Sequence, residues 1–138
     1  GVQTCALPIS TESIAHPKFK KAFIRASARD AMPSVQLDKW FPVIPVRALA
    51  NEGTEEFMET QRRVAEKFSR GELDQNAAQL EIEHFWAGAL RRAVIEGDVE
   101  RGSLMAGQSV GMVTREEPVA AIMAELIAQA EAALASRA

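Results

Sequence analysis

Apolar residues recur at helical spacing in four blocks of this 138-residue chain, and two stretches between them break the pattern. The first block predicts a helix over Thr11–Asp30. Ser10 or Thr11 can cap it, and Ile14, Phe19, Phe23 and Ile24 supply an apolar side. Lys18, Lys20, Lys21, Arg25 and Arg29 make the other face basic, which reads as solvated surface. Pro17 belongs in the first turn or at a boundary, because further along it would remove a ladder bond. The second block predicts a helix over Asn51–Gly71, with Thr54 as N-cap, Glu55 and Glu56 at the positive end and Arg70-Gly71 as the stop. Its apolar stripe is narrow: Phe57, Val64 and Phe68. The third, Leu73–Gly97, is capped by Asp74 and carries a wide face of Ala78, Ile82, Phe85, Trp86, Ala89, Leu90, Ala93 and Val94. The fourth runs from Pro118 to Arg137. Pro118 suits the first helical position, and Val119, Ile122, Met123, Leu126, Ile127, Ala130 and Leu134 fall on one side.

The two interruptions differ in kind. Ala31–Leu49 holds Pro33, Pro42 and Pro45 among Val35, Trp40, Phe41, Val43, Ile44, Val46 and Leu49. Prolines exclude a long helix and point to short extended pieces at a sheet edge or in a packed loop. Gly102–Val113 (GSLMAGQSVGMV) is the stretch around which the rest is arranged. Three glycines punctuate an apolar run, too apolar for an ordinary surface loop, so its backbone is expected to lie close to another part of the fold or to a ligand. Such a chain is mainly α with one or two short extended pieces. Its helix faces could form a small bundle, or cover a sheet contributed from elsewhere.

Composition narrows the function. A net charge of −3 and only two Trp with no Tyr leave neither a basic field nor stacking platforms, so no nucleic-acid partner is expected. The C-terminal apolar block is broken by Glu125, Gln129 and Glu131, so no membrane span is expected. A lone Cys5 excludes an internal disulfide framework and a cysteine-based zinc site, which fits a cytoplasmic protein. Residues 1–9 (GVQTCALPI) resemble a translated sequencing adapter, and the natural domain is expected to begin near Ser10.

Familiar chemistry is scarce. Glu81 and His84 have the Glu-x-x-His spacing of di-iron bundles, but no second copy accompanies them, and His84 turns away from the apolar face. His16 precedes Pro17 at a helix start, where a structural role is expected. No HExxH, GxSxG, phosphate loop or nucleophilic triad can be assembled, so no catalytic residue and no metal ligand is assigned. Backbone N–H groups around Gly107 and the carboxamide of Gln108 could donate to a ligand.

The string LRRAVIEGDVER (90–101) followed by GSLMAGQSVGMV resembles the C-terminal part of the nitronate monooxygenase (2-nitropropane dioxygenase) family. Flavin-dependent enoyl-acyl-carrier-protein reductases are close relatives sharing this region. TESIAHP (11–17) and PVRAL (45–49) are similar to further elements of both groups. The resemblance covers the chain from about Thr11 onward. It implies the C-terminal fragment, residues 10–138, of an α/β (β/α)8 TIM barrel that binds FMN and oxidises a small-molecule nitronate with oxygen. The family's catalytic His and its flavin-phosphate glycine loops would lie upstream of the matched segment, so the fragment alone should be inactive. It also implies that the connector lies near the barrel mouth, with Gly107 and Gln108 at the cofactor and Met105 and Ser109 in the substrate pocket. Two alternatives stay open, an enoyl-acyl-carrier-protein reductase and a non-enzymatic helical interaction module; a homo-oligomer is compatible with each.

Overall fold

The computed structural model of the protein describes residues 7–34 and 46–136. Cys5, Val35, Trp40, Phe41, Pro42, Val43, Ile44, Pro45 and Arg137 lie outside the described residues. Among the described residues the architecture is mainly helical, with a two-stranded antiparallel hairpin. We label the helices α1 (Pro17–Arg25), α2 (Glu52–Ser69), α3 (Gln75–Val94) and α4 (Val119–Ala135), and the strands β1 (Ala31–Pro33) and β2 (Arg47–Leu49).

The first helix is shorter than the apolar pattern suggests. A residue before proline is driven out of the helical region, and His16 has φ −57° and ψ 141°. The helix therefore starts at Pro17. His16 Nδ1, not Ser10 or Thr11, accepts from Lys18 N at 3.2 Å, which gives His16 its structural role. Ile14 is left 86% exposed, outside the apolar side on which it was expected. At the other end Ala26 turns extended, and Asp30 accepts from Ser27 N at 2.7 Å in a separate short turn. Phe19 and Phe23 are buried as expected, with ring centroids 4.5 Å apart.

Lys20 corrects the solvated basic face. Its Nζ donates to Ser10 O at 2.7 Å and to Glu116 at 2.6 Å, and its side chain is only 8% exposed. Nothing local marks it among Lys18, Lys21 and Arg25, which are exposed; its acceptors come from segments remote along the chain.

Helix α2 begins one turn earlier than Thr54. Asn51 is its N-cap, and Thr54 takes the third position of a reciprocal capping box. Helix α3 is capped by Asp74, whose Oδ1 accepts from Ala77 N at 2.8 Å. Gly71 (φ 72°) and Gly97 (φ 73°) end the second and third predicted blocks in the left-handed conformation that favours glycine. His84 is exposed as expected, and Glu81 pairs with Lys67 at 2.9 Å. In α4, Pro118 is the N-cap rather than the first helical residue. Val119 N then donates to the Glu12 carboxylate at 3.0 Å, which caps the helix from a distant part of the chain.

Two cores result. Phe57 and Val64 of α2 meet Ala78 and Ile82 of α3, with Phe68, Phe85 and Trp86 around them. The other gathers Phe19, Phe23, Ala31, Leu49, Ala93 and the apolar residues of the connector. Helix α4 lies at the margin of that core, against which Ile122 packs half-buried. None of its 17 residues is buried, and Ile127 and Leu134 are 54% and 70% exposed. Among the described residues no helix is long and apolar enough to cross a membrane.

Candidate functional site

The connector is positioned by backbone contacts that begin where α3 ends. Gly102 N donates to Asp98 O at 2.9 Å, and Asp98 Oδ1 accepts from Arg101 N at 3.0 Å. Ser103 N then donates to Ala89 O of α3 at 2.9 Å. Beyond this the chain runs alongside β2. Leu49 N donates to Leu104 O and Ala106 N to Arg47 O, each at 3.0 Å, and Met105 bridges to Ala48. Strand β2 is thus flanked by β1 on one side and the connector on the other, so it is not the edge its prolines suggest. Among the described residues the edge is β1, where Pro33 needs no ladder donor.

The three glycines separate by role. A Cβ on Gly102 would lie 2.4 Å from Asp98 O and 2.5 Å from Ala93 N, and one on Gly111 would lie 2.8 Å from Ala28 N. Both permit close backbone approach to the fold itself. Gly107 differs: a Cβ there would meet only Ser109 Oγ, at 3.7 Å. The packing account holds for two glycines, whereas at Gly107 a Cβ would be tolerated.

Gly107 caps the short turn Gln108–Met112, and Val110 N donates back to Gly107 O at 3.0 Å. Leu104, Ala106 and Val110 are buried, whereas Met105, Gly107 and Ser109 are half-buried and Gln108 is exposed. The four residues singled out from the sequence therefore lie along the accessible side of an otherwise buried segment.

A cleft of about 710 Å³ opens between the hairpin and α2. Met32, Val46 and Ala48 form one wall, and Phe57, Met58 and Trp86 another. Its size is that of a small-molecule pocket, which is typically ~300–1,000 Å³. None of Met105, Gly107, Gln108 and Ser109 lines it. Paired residues of a ladder project to the same face. Met105 therefore shares a face with Ala48 and Met32, at the border of the cleft. Sequence reading missed the cleft, because Met32 and Ala48 become neighbours only through the hairpin register; Phe57 and Trp86, on predicted apolar stripes, were its only local signal.

The clearly shifted titrating groups belong to caps and a surface pair. The Val119 N–H holds the Glu12 carboxyl below its usual range, and the Ser27 N–H does the same for Asp30. Glu117, bonded to Arg115 at 2.8 Å, raises that guanidinium further. All three serve structure. Among the described residues no cluster of His, Cys, Asp and Glu could hold a metal ion.

No family model and no curated protein matches this chain. Solved structures do match. One is FabK from Thermotoga maritima, 28% identical with a TM-score of 0.69, in a match that covers 96% of this chain and 37% of that one. Another is a single-residue variant of the same FabK, 26% identical with a TM-score of 0.65, covering 96% of this chain and 34% of that one. This chain thus spans little more than a third of the length of the FabK chain it matches.

Proposed function

We propose that residues 10–138 are the C-terminal portion of an FMN-dependent (β/α)8-barrel oxidoreductase of the group that unites flavin-dependent enoyl-acyl-carrier-protein reductases with nitronate monooxygenases. The observation that carries this reading is the match to FabK across 96% of the chain at 28% identity. Helix α4 supports it. A helix apolar on nearly every side is normally buried, whereas α4 has no fully buried residue and reaches the core through the half-buried Ile122.

Within that group we favour the enoyl reductase, because the two FabK structures named above are of an enoyl-acyl-carrier-protein reductase. Nitronate oxidation is the second reading, favoured by the resemblance of GSLMAGQSVGMV. The connector fits one part of the cofactor. Gly107 leaves room for a flat ring beside the backbone, and the exposed Gln108 carboxamide offers a donor and an acceptor to a flavin's polar edge. Residues 102–113 contain no cation for the phosphate, whose binding falls to other parts of the parent. Bound FMN would supply the two-electron redox chemistry. Gly107 and Gln108 would orient it, while Met105 and Ser109 would shape the substrate pocket. The parent is read as cytoplasmic.

The test is to extend the reading frame upstream of Ser10 and purify the product. A yellow protein that oxidises NAD(P)H with an enoyl thioester supports the enoyl reductase. Oxygen uptake with an alkyl nitronate supports the second reading. A start codon adjoining Ser10 with no barrel sequence before it, or a colourless product, ends both.

A further inference from the structure

Asn51 joins two structures that neither composition nor periodicity links. Its Oδ1 accepts from Thr54 N at 3.1 Å and so caps α2. Its Nδ2 donates to Val99 O and to Gly102 O, both at 2.8 Å. Those carbonyls lie at the root of the connector. Gly53 N donates to Glu100 O at 3.0 Å beside them, so the first turn of α2 is seated on the loop 99–102. Just before Asn51 in sequence, Leu49 N holds Leu104 O. One side chain thereby fixes the connector's origin relative to the strand along which the connector runs.

Helix capping alone does not require this residue. Asp and Ser cap about as well as Asn. Only Asn combines a capping oxygen with two N–H donors on the same short side chain. An aspartate would keep the cap but aim a carboxylate oxygen at two carbonyl oxygens. The amide is therefore demanded by the connector.

We propose that Asn51 is a positioning residue for the ligand-facing connector: it sets the register of Met105 and Ala106 against β2 through its two bonds to Val99 and Gly102. The assignment of a function to that register rests on the flavoenzyme reading above. The experiment uses the full chain and its Asn51→Asp and Asn51→Ser variants. Amide hydrogen exchange is followed residue by residue, with the Met105 methyl resonance as a local signature. In Asn51→Asp the amides of Phe57–Val64 should keep their protection, while Leu49 and Ala106 exchange roughly tenfold faster or more, and the Met105 methyl should shift. Asn51→Ser, which keeps the cap without the repulsion, should show the same split to a smaller degree. Unchanged connector protection overturns the proposal, as does parallel loss of protection in α2 and connector in both variants. An FMN titration of the upstream-extended parent separates the two ideas. A parent that ignores FMN while the exchange split persists removes the flavin reading and leaves the positioning role standing.

Discussion

Replacing Gly102 by alanine tests the central packing claim. The added Cβ would sit 2.4 Å from Asp98 O, 2.5 Å from Ala93 N and 2.6 Å from Ala93 Cβ. The two nearest neighbours are backbone atoms, so no flexible side chain can yield. Forcing a methyl group into a packed site costs about 1–3 kcal/mol. The displacement also strains the bonds from Gly102 N to Asp98 O and from Ser103 N to Ala89 O, each worth ~1 kcal/mol net. Against this, alanine reduces the entropy of the unfolded chain, a gain of ~0.4–1 kcal/mol. Gly102 does not have positive φ, so that gain applies in full. The balance is a destabilisation of roughly 2–4 kcal/mol. Urea unfolding followed by far-UV circular dichroism would report it as a lower midpoint at unchanged slope. Gly107→Ala is the internal control. With only Ser109 Oγ nearby at 3.7 Å, it should stay within about 0.5 kcal/mol of wild type. If Gly102→Ala is equally silent, or Gly107→Ala equally damaging, the division of the connector glycines into packed and open positions is wrong.

Three further outcomes follow from the long-range contacts. The Val119 N–H lowers the Glu12 carboxyl in the folded chain. Its contribution is therefore complete above the ordinary glutamate value of 4.5 and fades as pH falls through the lowered one, so α4 helicity should drop on acidification, and Glu12→Gln should flatten that acid limb. Glu116→Ala leaves the Lys20 ammonium buried and should cost ~1–3 kcal/mol by calorimetry, whereas Lys20→Met, which removes the buried charge and keeps the stem, should cost less than about 1 kcal/mol; the reverse order would refute the burial argument. Gly97→Ala combines positive φ with a Cβ 2.2 Å from the His16 ring and should destabilise by ~2–4 kcal/mol, with loss of the α1 cap visible at the Lys18 amide.

What the sequence determined by itself is what depends on neighbours within a turn or two. Asp74 caps α3, Gly71 and Gly97 end the second and third blocks, the apolar stripe of α3 faces a core, and strands β1 and β2 both fall in the proline-bearing stretch; each is fixed by side-chain period, backbone freedom or a missing N–H. Even here a local rule was misread at His16-Pro17, where the restriction before proline outweighs the apolar spacing and shortens α1. What only the tertiary structure decided are contacts between segments far apart in the chain. Lys20 is buried because Ser10 and Glu116 converge on it. Val119 is capped by Glu12. Met105 meets Ala48, which places the connector beside β2 and at the border of the cleft. No propensity or period carries such pairings, since their free energy arises only after the chain has closed long loops and removed the partners from water. The apolar, glycine-punctuated character of GSLMAGQSVGMV was legible, but the separate duties of Gly102, Gly107 and Gly111 were not: a glycine shows its reason only when the atoms that would meet its missing side chain are in place.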